Sequence, residues 1–217
     1  LGTLVAVLGY FRRDLGAIVR ACLPSNLIKG SSEGLALAKL LLVASLPVFA
    51  AGAALEEVVE TALRNPHVIA TTTAVFGILL WAADRLGGRQ RTLEALGWSD
   101  ALLIGLAQAM ALVPGVSRAG VTMTAARALG LDRRSAVRFS FLLAIPVILG
   151  ASVFKAIDLV GSPQPMPWYA FGLGVVVSAC SAWCVLVVFL RVIEKSGMLV
   201  FVLYRLLLAA FLFYWFQ

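Results

Sequence analysis

Residues 101–130 read ALLIGLAQAMALVPGVSRAGVTMTAARALG, and the fold turns on how this stretch meets a membrane. Its apolar first part runs from Ala101 to Val113 before Pro114 and Gly115 interrupt it. A helical crossing of a hydrocarbon core of about 30 Å needs about 20 apolar residues, so neither this part nor the short helical stretch after it can span. Two short helices joined at a proline-glycine break are the pattern of a re-entrant or broken helix pair, which is tolerated at membrane depth where protein covers the irregular backbone.

The rest of the chain is built for a bilayer. Of its 217 residues 61% are hydrophobic and 13% charged, and the mean hydropathy is +0.97. Soluble domains hold about 45–50% apolar and about 25% charged residues, so a water-soluble domain is excluded. Apolar runs long enough to cross lie at 35–54, 67–83, 139–160, 169–190 and 198–216. The run 1–11 has neither an initiating methionine nor a charged leader, and reads as the second half of a sixth helix whose beginning is missing. The net charge of +7 would suggest nucleic acid only on a solvated face; here the positive charges sit in short loops.

Those loops set the orientation. Segments 12–34, 84–100, 127–138 and 191–196 hold thirteen of the eighteen basic residues, among them Lys29, Arg89, Arg91, Arg127, Arg133 and Arg138. The other two connections carry Glu56, Glu57, Glu60 and Arg64, and the basic-free GSPQPMP at 161–167. By the positive-inside rule the first four face the cytoplasm. A single crossing by 101–130 would put the Arg-rich 127–138 loop outside, so the charges support re-entry independently of length. The expected fold is an all-α polytopic membrane bundle forming one transmembrane domain. Residues 1–83 supply three crossings of a first repeat, and 101–217 supply a re-entrant pair and three crossings of a second. An odd number of crossings per unit inverts the second copy, and the same symmetry places a first re-entrant pair before Leu1.

The tip at 114–120 carries the chemistry. Gly115 and Gly120 permit close backbone approach, and Ser117 can cap the helix that follows. Backbone N–H groups and a positive helix end then converge on a site suited to an anion. Arg118 lies in the same tip, where an arginine at membrane depth points to function; its planar fork suits phosphate. The structural alternative is that Arg118 caps carbonyls or pairs with a carboxylate. With the hydroxyls of Ser117, Thr122 and Thr124 nearby, phosphate is favoured.

Pro114, Gly115, Ser117, Arg118, Gly120 and Thr122, followed by Phe139 to Pro146 with Gly150 and Ala151, resemble the undecaprenyl-diphosphatases of bacteria, also called bacitracin-resistance proteins. That family carries P-G-x-S-R-S-G-x-T and then F-S-F-L-L-A-x-P-x-x-x-G-A. Gln108, the A-D-R at Ala83 to Arg85 and the L-Y-R at Leu203 to Arg205 are weaker echoes. Two departures stand out. Ala119 replaces the second serine, and the family's E-G-x-x-E-F-x-P-x-S-S-x-G-H signature is missing, expected before Leu1. The resemblance implies hydrolysis of the lipid carrier diphosphate to monophosphate and inorganic phosphate, recycling the carrier for cell-wall synthesis and giving bacitracin resistance. It also implies a divalent cation, Mg or Ca, on carboxylates this chain lacks, so that the fragment alone is expected to be inactive.

On this reading Arg118 and Ser117 are the candidate catalytic residues, with Ser117 either nucleophile or ligand; ligand is favoured because no base is visible to activate it. Gly115, Gly120, Thr122, Gln108 and Arg205 are the candidate substrate-binding residues, and no residue is assigned to a metal. Arg205, mid-span beside Tyr204, either lines the phosphate path or pairs structurally. Gln108 bonds across the re-entrant pair or touches ligand. His67 reads as an interfacial residue, Thr71, Thr72 and Thr73 as back-bonding within their helix, and Cys180 and Cys184 as small packing residues. The expected partners are a polyprenyl diphosphate, membrane lipids and a second copy in a homodimer, with no nucleic acid; the expected location is the bacterial inner membrane. The rival reading is a transporter or flippase of an anionic isoprenoid lipid, since inverted halves with a broken helix are also a carrier architecture. Histidine phosphatases of the S-R-x5-H type are excluded, because 118–125 contain no histidine. Kinases and ATPases are excluded by the absence of a P-loop.

Overall fold

The computed structural model describes residues 1–22, 31–61, 63–88, 90–160 and 168–216. Lys29, Arg89 and the 161–167 loop lie outside the described residues, as do the side chains of Cys22, Glu56, Glu57, Glu60 and Lys155.

The described residues are mostly helical, with no strand among them: α1 (Gly2–Tyr10), α2 (Arg12–Cys22), α3 (Ser31–Thr61), α4 (Pro66–Leu86), α5 (Trp98–Ala109), α6 (Arg118–Ala128), α7 (Arg133–Val160), α8 (Trp168–Ser196) and α9 (Leu199–Trp215). Stretches of α3, α4, α7 and α8 are long and apolar enough to cross a membrane. At 17 residues, α9 rises about 25 Å at 1.5 Å per residue, the short end of the spanning range. The all-α membrane bundle read from the sequence is the fold observed. One element was not foreseen: α2 makes a helix of the charged segment after Phe11, where only a loop was expected.

The pair α5 and α6 is re-entrant by its own hydrogen bonds. Arg91 N–H donates to the Gly130 carbonyl at 3.2 Å and Asp132 N–H to the Arg91 carbonyl at 2.9 Å, so the chain just before α5 is stitched to the chain just after α6. A segment whose ends are tied together cannot have crossed. The charged connections gather at this same end of the bundle. Arg138 of α7 pairs with Asp14 of α2, Arg133 with Asp84 at the end of α4, and Gly197, between α8 and α9, abuts the Arg133 guanidinium. At the opposite end His67, at the start of α4, meets Phe213 of α9.

Packing follows the membrane rule that small residues let helices approach closely. A Cβ at Gly105 of α5 would stand 2.5 Å from the Ala44 carbonyl oxygen of α3. The main core joins Leu4, Val7 and Phe11 to Leu41 and Ala44, to Ile104, and to Phe139, Leu142 and Leu143. A second core, around Leu80, Met123, Val137 and Val202, seats α6 between α4, α7 and α9. Cys180 and Cys184 are exposed on α8, contrary to the packing role expected of them. The α8 face carrying them is uncovered among the described residues.

Candidate functional site

Residues 113–117 form the turn between α5 and α6, and α4 fixes its depth. Thr72 Oγ1 donates to the Pro114 carbonyl at 2.6 Å and Thr73 Oγ1 to the Gly115 carbonyl at 3.2 Å. Thr73 lies three residues from the middle of α4, so the turn sits within about 5 Å of the centre of that helix by its rise per residue. The threonines were expected to back-bond within their own helix; Thr71 does so, to the His67 carbonyl. Thr72 does so as well as reaching the turn. Hydropathy carries no sign of this second use, because a hydroxyl that can bond its own helix can share itself with a neighbour.

Gly115 has φ +89°, the left-handed region open to glycine without a Cβ penalty. A Cβ there would fall on the Thr72 hydroxyl and the Ile69 carbonyl. Ser117 has φ +66° without being glycine, a conformation that persists only when its surroundings impose it and that clusters at functional sites. As expected, Ser117 caps α6: its Oγ accepts from the Gly120 N–H at 3.3 Å. Gly120 is buried there, and a Cβ on it would press against Ser117 and Arg205.

Arg118 opens α6. No hydrogen bond or ion pair is made by its guanidinium among the described residues, and its Nη1 is buried without a partner. The structural alternative, an arginine locked on carbonyls or on an acid, is therefore not what this geometry contains. The free backbone N–H groups at the start of α6 add their positive helix end beside it. The second unpartnered buried side-chain atom is Gln108 Oε1. Gln108 is fully buried, and its Nε2 donates to the Ala44 carbonyl of α3 at 3.4 Å, not across the re-entrant pair.

Two predicted site residues are turned to other uses. Thr122 is buried with its hydroxyl 2.5 Å from that of Ser140 on α7, and it also donates to the Arg118 carbonyl at 2.9 Å; helical spacing carries it to the α7 face of α6, away from the tip. Arg205 is buried in α9 and donates to three carbonyls: Val116 at 2.9 Å, Gly115 at 2.7 Å and Thr73 at 3.2 Å. Four of its five N–H groups are engaged in this way, so it holds the turn.

The A-D-R echo marks a structural staple. Arg127 and Arg133 both bond Asp84, joining the end of α4 to α6 and α7. At the mouth of the re-entrant pair, burial by itself would lift the Asp100 carboxyl. The Arg91 hydrogen bond, the Gly97 amide and the Arg91 charge outweigh it and hold Asp100 below the ordinary aspartate value. Sequence reasoning read these arginines as orientation signals only.

The tip holds an arginine, a helix-capping serine and open backbone N–H groups, which is a donor set for an anion. It does not fit a divalent cation, and no group of three acidic, histidine or cysteine side chains suited to one occurs among the described residues.

The chain is similar over nearly its whole length to known proteins. The family model described as bacitracin resistance protein BacA matches residues 1–211. The undecaprenyl-diphosphatase of Alcanivorax borkumensis is 47% identical over 215 residues, covering 99% of this chain and 81% of the relative. Those of Teredinibacter turnerae and Nitrosococcus oceani are each 48% identical, over 98% and 100% of this chain and 81% and 82% of the relatives.

Proposed function

The chain belongs to the BacA family of bacitracin resistance proteins, and from that premise we propose that it hydrolyses undecaprenyl diphosphate to undecaprenyl phosphate and inorganic phosphate. The products return the lipid carrier to cell-wall synthesis and underlie bacitracin resistance. A multi-pass membrane bundle is the setting such a substrate needs, because its isoprenoid chain stays in the bilayer; the bacterial inner membrane is the proposed location.

One observation carries the assignment of the site: Arg118, at mid-bundle depth, has a buried Nη1 with no partner among the described residues. A buried donor left unmatched costs stability, and a diphosphate oxygen supplies the missing acceptor. The guanidinium fork binds two phosphate oxygens at once, and the N–H groups opening α6 bind a third. Phosphoryl transfer depends mainly on positioning and on neutralising charge spread over the phosphate oxygens, and these groups do both. Gly115 and Gly120 keep side chains out of the cradle. Ser117 acts as a ligand: its Oγ caps Gly120 N–H, and no basic side chain bonds it among the described residues. Gln108 presents its unpartnered carbonyl as an acceptor for a protonated phosphate oxygen or for water. The transport reading has no observation of its own in this structure.

The test is Arg118→Lys in the intact protein, which keeps the charge and loses the fork. Phosphate release from undecaprenyl diphosphate is expected to fall by on the order of 100-fold, the scale of losing one preorganised transition-state donor, with normal expression and melting temperature. Wild-type-like turnover would refute the assignment.

A further inference from the structure

The carbonyls of Pro114, Gly115 and Val116 are all fastened from one side, by Thr72, Thr73 and Arg205. The peptide bonds are trans, and in a planar trans peptide the N–H of the next residue points opposite to the carbonyl. Tying the Val116 carbonyl to Arg205 Nη1 therefore turns the Ser117 N–H away from α9. The N–H groups of Ser117, Arg118 and Ala119 have no hydrogen-bond acceptor among the described residues, so they are open to a ligand beside the unpartnered Arg118 Nη1.

We propose that Arg205 is a positioning residue for this turn: its guanidinium, reaching from α9, sets the peptide plane that aims the Ser117 amide at the phosphate. The inference rests on the reading of the tip as the diphosphate site. Arg205 is buried, with carbonyl oxygens and the Phe201 ring at 6.0 Å against its charge. A planar fork spans three carbonyls on two elements at once, which an ammonium on a flexible stem does not. The proposal assigns Arg205 no contact with substrate, in place of the binding role that the sequence suggests.

The experiment is steady-state phosphate release by the intact protein carrying Arg205→Lys, Thr73→Val, or both. Thr73→Val removes the other donor to the Gly115 carbonyl. A misaimed turn lowers kcat and leaves KM nearly unchanged; the expected loss for Arg205→Lys is on the order of 100-fold in kcat, as for a small misplacement of a catalytic group. Because both side chains hold one carbonyl, the double variant should lose less than the product of the two single losses. A large rise in KM with kcat preserved would mean direct phosphate contact and would overturn the proposal, as would independent, multiplicative losses. If Arg205→Lys does not yield a monodisperse protein, Thr73→Val alone decides: a lower kcat at unchanged KM supports the proposal and an unchanged kcat refutes it. Arg118→Lys assayed in parallel separates the two claims. Full activity there removes the site itself, whereas an inactive Arg118 variant beside a fully active Arg205 variant removes this inference alone.

Discussion

Arg133 grips Asp84 with both prongs of its guanidinium, Nε to Oδ1 at 2.8 Å and Nη2 to Oδ2 at 2.7 Å, while the fully buried Arg127 reaches the same Oδ1 at 3.2 Å. One carboxylate thus faces two arginines and joins α4 to the base of the re-entrant pair. Removing one member of a buried charge cluster costs about 3–5 kcal/mol, because the remaining charges lose their compensation. Asp84→Asn is expected to lower the melting temperature of the purified protein sharply. An unchanged melting curve would show that the staple contributes nothing to stability.

Gly115→Ala should damage the turn twice over. The residue sits at φ +89°, where an L side chain costs about 1–2 kcal/mol, and the added methyl meets the Thr72 hydroxyl and the Ile69 carbonyl. If that cost falls on the catalytic geometry, 1.36 kcal/mol per decade makes the expected loss of turnover about 5- to 30-fold. Gly172→Ala on α8 is the control, since a Cβ there meets nothing within 4 Å; phosphate release by that variant should match the parent.

Gln108→Leu should separate stability from function. Its Oε1 is buried without a partner, and an unmatched buried acceptor costs about 1–3 kcal/mol. An apolar side chain of similar length is expected to raise the melting temperature while lowering phosphate release. A variant that melts lower and keeps full turnover would mean that Gln108 serves only as a strut between α5 and α3.

Thr122→Val is expected to leave KM for the lipid diphosphate unchanged and to reduce stability by about 1 kcal/mol, the net worth of one hydrogen bond. Its hydroxyl faces Ser140, not the tip. A KM raised several-fold would return Thr122 to the binding residues that the motif suggests.

Much of this architecture was legible before any coordinates. Proline and glycine at 114–115 interrupt an apolar run too short to cross, and four clusters of arginine and lysine mark one side of the membrane. The stitched ends at Arg91 and Asp132 match the first of these readings, and the pairing of Asp14 with Arg138 brings two of the charged segments together at one end of the bundle. These features are local: backbone sterics and the transfer of apolar side chains into hydrocarbon act residue by residue, so they leave a periodic trace. Ser117 as helix cap belongs to the same class.

The direction in which each polar side chain faces was decided elsewhere. Helical phase carries Thr122 onto α7, and close contact between α3 and α5 sends Gln108 toward Ala44. A residue 90 positions beyond Gly115, Arg205, returns through the bundle to hold its carbonyl. None of these partners is near in sequence, and an arginine pattern reads the same whether its fork holds a phosphate, a carboxylate or the backbone. The chain alone thus determined the membrane fold, the break in the re-entrant pair and the cation at its tip. Only the packed bundle decided which hydrogen-bonding groups are satisfied internally and which remain open for a ligand, because that balance depends on contacts between helices far apart along the chain.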